Sequence, residues 1–176
     1  MRKLRLATVW LDGCSGCHMS ILDLDAALIP VLRKVDIVYG PLVDAQEFPE
    51  DVDVTLVEGA VSSQADADHI QVIRQRTKTL VSLGDCAVTG NVAGMRNTTK
   101  VSKLLQRIYV EGADTNKCVP GDGLPPLLKL ARPAQDFVKV DYSIPGCPPQ
   151  NKTIAALLNS LLEGRKTENV SKIKFG

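Results

Sequence analysis

Residues 4–17, LRLATVWLDGCSGC, join a short apolar run to a glycine-flanked turn that carries two cysteines. The run from Leu4 to Trp10 has the length and the apolar content of a buried strand. Cys14 and Cys17 follow it, and a helical segment is predicted to begin near Met19. Two thiols three residues apart can bind one atom or one cluster, so the interpretation of this turn depends on the other cysteines.

Two further cysteines lie in turns that are equally constrained. Cys86 belongs to the sequence Gly84-Asp85-Cys86, and Cys147 belongs to Pro145-Gly146-Cys147-Pro148-Pro149. The fifth cysteine, Cys118, lies in a stretch rich in proline and glycine and is predicted to be unligated, with a ligand or redox role as the alternative. An odd number of cysteines without a secretion signal favours metal or redox chemistry over disulfides.

Apolar runs alternate with amphipathic segments along the chain. Strands are predicted at 4–10, 35–39, 52–57, 80–83 and 137–140. Helices are predicted at 21–33, from a cap at Ser62 or Ser63 to about 77, and after a cap at Thr98 or Thr99. A last helix is predicted after a cap at Asn151, with Gly164 as its stop. This alternation predicts an α/β fold, flavodoxin-like, with a mostly parallel five-stranded sheet and helices on both faces.

Three details of this pattern can be checked against the structure. Pro30 is expected to kink or split the first helix. The helix after Thr99 is expected to bury one face, which contains Val101, Leu104, Leu105 and Ile108. The stretch 111–135 is expected to be irregular, because it contains several prolines and glycines.

The cysteines of the three turns are predicted to meet at one edge of the sheet. The carboxyl ends of parallel strands share an edge, so Cys14 and Cys17 after strand one, Cys86 after strand four and Cys147 after strand five should lie together. Four thiolates are the ligand set of a [4Fe–4S] cluster or of a structural zinc. Zinc sites usually pair their ligands locally, which favours the cluster here. A dithiol redox pair and unrelated buried thiols remain alternatives.

The composition argues against several classes of function. The 21 basic and 20 acidic residues give a formal net charge of +1, which offers no electrostatic reason to expect nucleic acid or an anionic membrane as a partner. No apolar run approaches the roughly 20 residues that span a bilayer. The N-terminal apolar run is short and is followed by Asp12, so it is a poor signal peptide, and a cytoplasmic location is predicted.

The cysteine turns resemble those of the small, electron-transferring subunit of nickel–iron hydrogenases. The family has a GCxGC turn after the first strand, a Gly-Asp/Thr-Cys turn in mid-chain and a PGCPP turn near the end, which correspond here to residues 13–17, 84–86 and 145–149. The sequence Glu58-Gly59-Ala60 is also similar to the EGA segment of the family. The resemblance covers about residues 4–162, and residues 1–164 are therefore predicted to form a single flavodoxin-like iron–sulfur domain, followed by a polar C-terminal tail at 165–176.

The resemblance implies one proximal [4Fe–4S] cluster held by Cys14, Cys17, Cys86 and Cys147. It also implies that the Ni–Fe centre lies in a separate large subunit docked against this edge. Cys147 is the last cysteine before the end at Gly176, and His18 stands where many members have Glu. Both features are similar to the short small subunit of the soluble, bidirectional NAD(P)-linked hydrogenases. The resemblance then implies diaphorase partner subunits that hold iron–sulfur clusters, FMN and NAD(P), and the reaction of H2 with NAD+ to give H+ and NADH, and its reverse.

Two other functions remain as alternatives. One is the cluster-carrying subunit of a NADH–quinone reductase-like complex, although the first motif of that family has two adjacent cysteines and Cys14 and Cys17 are separated. The other is a non-catalytic module with a structural metal. A flavin bound to this chain is a minor alternative. We interpret Glu58 as a cap of its turn rather than a proton relay, and Asp85 as ordering its own turn. His18 is interpreted as a contact to a cluster sulfide, to the large subunit, or to an ordinary polar group.

Overall fold

The structure, a computed structural model, describes residues 2–164, and the predicted tail at 165–176 lies outside the described residues. Five parallel strands form the main sheet, namely β1 (Leu4–Trp10), β2 (Val35–Tyr39), β3 (Val52–Glu58), β5 (Thr77–Leu83) and β7 (Tyr142–Ile144). Their order is β2-β1-β3-β5-β7, and a second, antiparallel pair is formed by β4 (Val61–Ser63) and β6 (Leu127–Arg132). The order confirms the predicted flavodoxin-like sheet.

Helices connect the strands and lie on both faces of the main sheet. The α-helices are α1 (Gly16–Leu22), α2 (Leu28–Leu32), α3 (Gln64–Arg76), α4 (Asp85–Thr89), α5 (Asn91–Gly94), α6 (Val101–Gln106) and α7 (Asn151–Leu162). Short 3-10 segments occur at Asp25–Ala27, Met95–Thr98 and Ala134–Asp136, and α6 continues into a π-helical turn at Arg107–Glu111. Within residues 2–164, no helix combines the length and the hydrophobicity that crossing a membrane requires.

Each face of the sheet has its own hydrophobic core. On one face, Leu56 and Ile144 pack with Ile154 of α7, and α1 and α2 cover the same face. On the other face, Leu80 packs with Ile70 of α3. Because the sheet is covered on both sides, its strands are rigidly held, and the positions of the loops at their carboxyl ends follow from the sheet.

The start of α3 and the end of α7 agree with the sequence signals, whereas the predicted cap of α7 is wrong, because Gln150 rather than Asn151 precedes the helix. The hydroxyl of Ser63 accepts the N–H of Asp66 at 3.1 Å, and the carboxylate of Asp66 accepts the N–H of Ser63 at 2.8 Å. This reciprocal capping box explains why α3 begins at Gln64. Gly164 follows α7 with a φ of +65°, the left-handed conformation that ends many helices.

The prediction for the first helix is wrong in its start and in its break. The helix begins at Gly16 rather than near Met19 or at Ile21, and it ends at Leu22. The interruption occurs because Asp25 adopts a φ of +48°, which a continuous helix cannot contain. Pro30 lies in the first turn of α2, where its missing N–H removes no helical hydrogen bond, so it breaks nothing.

The prediction that the fifth strand of the main sheet lies at 137–140 is wrong, and the strand is β7 instead. Val138 is buried, but the carbonyl groups of its neighbours accept hydrogen bonds from side chains of α3 rather than from β5. Gln71 donates to the carbonyl of Phe137 at 2.9 Å, and Arg74 donates to that of Lys139 at 3.2 Å. These bonds hold the segment beside α3, and pairing with β5 starts only at Tyr142.

The predicted buried face after Thr99 is also wrong. Lys100 rather than Thr98 or Thr99 precedes α6, none of the α6 residues is buried, and Ile108 is 59% exposed. The pattern correctly indicated an amphipathic helix, but periodicity does not specify what covers the apolar face. The stretch 111–135, predicted to be irregular, contains strand β6.

Asp53 connects three segments at the amino end of the main sheet, which is the end opposite the cysteines. Its carboxylate accepts hydrogen bonds from Lys78 Nζ at 2.7 Å, from the Arg5 N–H at 2.9 Å and from Arg2 at 2.8 Å. Burial alone would raise the pKa of this carboxyl group, but the three donors outweigh burial and lower the pKa to about 2. An unfolded Asp titrates near pH ~3.9, so ionised Asp53 stabilises the fold above that pH, and the contribution is lost as the pH falls towards about 2.

We expect Asp53→Asn to lower the free energy of unfolding by about 1 kcal/mol at neutral pH, a modest value because Arg2 and Lys78 lie largely in solvent. Urea unfolding of the wild type and of Asp53→Asn should give a constant difference in the free energy of unfolding above about pH 5. This difference should shrink to about half near pH 3. Asp68→Asn is the control, because Asp68 accepts a hydrogen bond from the exposed Gln64. If the difference in the free energy of unfolding did not shrink at acidic pH, the result would contradict the role of Asp53.

Candidate metal centre

The four predicted ligand cysteines lie at the carboxyl edge of the main sheet. Cys14 is in the loop after β1, Cys17 in the first turn of α1, Cys86 in the first turn of α4 after β5, and Cys147 in the turn after β7. The three other thiols are near enough to Cys17 for their negative charges to act on it. Cys118 is exposed in the loop before β6 and stays outside this group.

The group is covered on one side and open on the other. Cys17 is 7% exposed and Cys86 is partly buried, whereas Cys14 and Cys147 are exposed. All of these cysteines are free thiols. A group bound to them would contact the protein through Cys17 and Cys86 and would face outwards beside Cys14 and Cys147.

The electrostatics of the thiols indicate a need for positive charge. Burial raises the pKa of the Cys17 thiol, and the negative charges of Glu58 and of the other three thiolates raise it further. Burial also raises the pKa of Cys86, although hydrogen bonds from the N–H groups of Val92 and Ala93 offset part of the shift. Four neighbouring thiolates are unfavourable alone, and a bound metal would supply the compensating charge.

A single zinc ion and a [4Fe–4S] cluster require different arrangements of their cysteine ligands. Within the described residues, no three His, Cys, Asp or Glu side chains converge closely enough to hold a single metal ion. A zinc ion needs all its ligands in contact with one atom. A [4Fe–4S] cluster takes one thiolate on each of four irons, so its ligands lie farther apart. Four cysteines from three separate turns match the number of thiolates that such a cluster takes.

Gly84 lies between strand β5 and Cys86, and it allows the close approach of Cys17. Its φ is +83°, and a Cβ atom built on it would lie 2.2 Å from the Sγ of Cys17. No other residue type fits this conformation and this space. The cysteine motif includes Gly84, but the sequence does not reveal the contact with Cys17, because the two residues come from different turns.

Glu58 binds the backbone at the start of α1, next to the first cysteine turn. It is the last residue of β3 and only 1% exposed, and its carboxylate accepts the N–H of His18 at 3.0 Å and a hydrogen bond from His18 Nδ1. Burial alone would raise the pKa of Glu58, but the hydrogen bonds from His18 and from the Cys17 N–H outweigh it and lower the pKa. Glu58 is thus an ionised acceptor that holds the start of α1, which favours the structural interpretation over a proton relay.

Polar contacts also connect α1 to the turn that carries Cys147. The hydroxyl of Ser20 is buried and donates to the carbonyl of Pro149 at 2.6 Å. The side chain of Asn151 donates to the carbonyl of Asp23 at 3.0 Å. The first and last cysteine turns are therefore held together by direct hydrogen bonds and by the sheet.

Four exposed apolar side chains lie on the segments that carry or follow the cysteine turns. We use the name apolar rim for Trp10, Met19, Val92 and Met95. The indole N–H of Trp10 donates to the carbonyl of Gly13 at 2.9 Å, which fixes the ring beside the first turn. Exposed apolar groups that cluster at one edge are typical of surfaces that bind another protein.

The chain matches a known family and several characterised proteins. Residues 14–161 match the family described as NADH ubiquinone oxidoreductase, 20 Kd subunit. A vhu subunit of the F420-non-reducing hydrogenase of Methanocaldococcus jannaschii is 41% identical over 172 residues, which cover 97% of this chain and 60% of that protein. The NAD-reducing hydrogenase HoxS subunit delta of Cupriavidus necator is 36% identical over 179 residues, which cover 97% of this chain and 84% of that subunit.

Solved structures show the same relationship. A chain in the crystal structure of NAD+-reducing [NiFe]-hydrogenase in the H2-reduced state has a TM-score of 0.92 and 34% identity, with 99% of this chain and 100% of that chain covered. A chain of the [NiFeSe] hydrogenase from Desulfovibrio vulgaris Hildenborough has a TM-score of 0.60 at 16% identity and shares the fold. The present chain spans 60% of the length of the matching vhu subunits from Methanocaldococcus jannaschii and Methanococcus voltae.

These similarities agree with the resemblance of the three cysteine turns to those of hydrogenase small subunits. The named relatives are hydrogenase subunits, and the match extends over nearly the whole chain. The chain belongs to the NADH ubiquinone oxidoreductase 20 Kd subunit family, and its listed relatives within that match are hydrogenase subunits.

Proposed function

We propose that this chain is the electron-transfer small subunit of a NAD(P)-linked nickel–iron hydrogenase. In this proposal, one [4Fe–4S] cluster is held by Cys14, Cys17, Cys86 and Cys147. The observation that carries the proposal is the grouping of these four free thiols at one edge of the sheet. A cluster bound there supplies one-electron transfer.

The chain's own residues have three tasks in this proposal. Glu58 holds the turn of Cys14 and Cys17 through the N–H groups that it accepts. Gly84 leaves the space that Cys17 occupies. The N–H groups of Val92 and Ala93 point at Cys86 and stabilise negative charge on its sulfur, an arrangement that also raises the reduction potential of a thiolate-bound cluster.

The open side of the site supports the partners that we propose. The proposed large subunit, which would contain the Ni–Fe centre, docks against the apolar rim and the exposed Cys14 and Cys147. Diaphorase subunits would hold FMN, NAD(P) and further iron–sulfur clusters, and electrons would pass between them and the Ni–Fe centre through this chain. The name of the Cupriavidus necator relative, an NAD-reducing hydrogenase, supports this part and the cytoplasmic location that we propose with it.

A subunit of a NADH–quinone reductase-like complex is the second candidate function. The description of the matching family favours it. The named hydrogenase relatives and the separation of Cys14 from Cys17 favour the hydrogenase instead. A non-catalytic module with a structural metal is a third candidate, and it is disfavoured because only Cys14 and Cys17 form a local pair of ligands.

Anaerobic reconstitution of the purified full chain tests the cluster. We expect about four irons and four sulfides per chain, and an EPR signal that appears and disappears reversibly on reduction and reoxidation. Stoichiometric zinc without iron would contradict the proposal. Metal without any reversible redox change would indicate the structural module.

Purification of the tagged chain from its own cells tests the complex. We expect nickel and flavin to accompany the chain, together with H2-dependent reduction of NAD+ or NADP+. A membrane complex without nickel would identify the quinone-reductase candidate as the correct one. These two measurements separate the cofactor of the chain from the identity of its partners.

A further inference from the structure

An aspartate extends the short pairing of β5 and β7 at each end. At the amino end, the Asp141 N–H donates to the Leu80 carbonyl at 2.9 Å, and the Leu80 N–H donates to Asp141 Oδ2 at 2.8 Å. At the carboxyl end, the Asp85 N–H donates to the Gly146 carbonyl at 2.9 Å, and the Gly146 N–H donates to Asp85 Oδ1 at 2.7 Å. Each aspartate therefore imitates a strand partner, with its own N–H as donor and its carboxylate as acceptor.

Only one of the two aspartates, Asp85, joins turns that carry cysteines. Asp85 directly precedes Cys86, and Gly146 directly precedes Cys147, so their reciprocal hydrogen bonds join the turns of the two isolated cysteines. Asp141 lies at the other end of the strand pair, away from the cysteines. The sequence predicts that Asp85 orders its own turn, but its carboxylate reaches a residue 61 positions away.

The local backbone explains why a side chain is needed at this place. Gly146 has a φ of +132°, which turns the chain away from the direction of β7. Pairing of β5 with β7 ends at Leu83 and Ile144, so no strand carbonyl faces the Gly146 N–H. A carboxylate oxygen of Asp85 supplies the acceptor at 2.7 Å.

We propose that Asp85 is a positioning residue that fixes the Cys147 turn relative to the Cys86 turn and thereby sets the separation of two of the four thiols. The inference rests on the proposed function, because this separation matters when the thiols share one bound cluster. The oxygen acceptor, rather than the charge, performs the task, since the partner is a neutral backbone N–H. An amide oxygen at the same place should therefore suffice.

Asp85→Ala and Asp85→Asn test this role in the full chain after anaerobic reconstitution. We expect Asp85→Ala to lose iron to a ferrous chelator at least about tenfold faster than the wild type, because the Gly146 N–H loses its acceptor. Its EPR spectrum in the reduced state should also differ in line shape. Asp85→Asn should restore both the wild-type spectrum and a rate within about twofold of the wild type, because its amide oxygen replaces the carboxylate.

Asp141→Ala is the matched control, because it removes the same kind of bond at the other end of the same strand pair. It also removes the hydrogen bond from Arg74 at 2.7 Å, so it should destabilise the fold at least as much as Asp85→Ala. We expect its EPR spectrum and its chelation rate to stay at wild-type values. Should Asp85→Ala fail to fold, Asp85→Glu displaces the acceptor by one methylene group and should alter the same spectrum.

Three results would overturn the inference while leaving the cluster proposal intact. The first is a wild-type spectrum and chelation rate for Asp85→Ala. The second is an equal change in Asp141→Ala, which would make the effect one of general stability. The third is an Asp85→Asn protein that behaves like Asp85→Ala. A wild-type chain that takes up no iron would overturn the cluster proposal together with the inference.

Discussion

Cys86→Ser is expected to prevent assembly of the complete [4Fe–4S] cluster that we propose for this chain. Cys86 is the thiol that the turn after β5 contributes, and the N–H groups of Val92 and Ala93 point at its sulfur. A serine hydroxyl does not ionise near neutral pH and is a poor ligand for iron, so one iron would lose its protein ligand. We expect at most about three irons per chain and loss of the wild-type EPR signal. Iron and sulfide analysis with EPR measures both.

Cys118→Ser is the matched control for this experiment. Cys118 is a free, exposed thiol outside the group of four, so the same substitution there removes a cysteine without touching the site. We expect its iron content, its EPR signal and the hydrogenase activity of the assembled complex to stay at wild-type values. A complete cluster in Cys86→Ser would remove Cys86 from the ligand set, and iron loss in Cys118→Ser would add Cys118 to it.

Gly84→Ala is expected to disrupt the site although every ligand remains. The new Cβ would lie 2.2 Å from the Sγ of Cys17, and Cys17 is buried, so the sulfur has little room to move. The conformation at Gly84, with φ +83° and ψ +161°, is restricted to glycine and adds a cost of about 1–3 kcal/mol. Overpacking adds a similar amount, so we expect the free energy of unfolding to fall by about 3 kcal/mol or more. Iron uptake should fall with it.

Gly123→Ala separates the cost of the backbone conformation from the cost of the clash with Cys17. Gly123 also has a positive φ, +77°, but a Cβ built on it meets no atom within 4 Å. This variant therefore carries the backbone cost without the clash and should be destabilised by only about 1–2 kcal/mol with full iron uptake. Urea unfolding and iron analysis of both variants decide the matter. If Gly84→Ala loses no more stability than Gly123→Ala and binds iron fully, contact with Cys17 does not constrain the site.

Local patterns predict most of the elements, and their failures have a common physical cause. The runs at Leu4–Trp10 and Val35–Tyr39 form strands with the predicted ends, and the capping residues of α3 function as expected. The segment 137–140 has the composition of a strand, but side chains of α3 take its carbonyl groups. The face around Ile108 has the composition of a core and lies exposed. In both cases a distant partner, rather than the local composition, decides the outcome.

The order of residues along the chain was enough to specify the α/β class, the parallel sheet and the turns that carry Cys14, Cys17, Cys86 and Cys147. Strand, turn and cap preferences are local, and parallel strands bring their carboxyl ends to one edge whatever the strand order. The strand order and the groups that hold the cysteine turns follow only from the folded chain. Glu58, Ser20 and Asp85 bind groups that are 40, 129 and 61 residues away in the chain. Contacts over such separations arise from the packing of the whole sheet, and no local pattern encodes them.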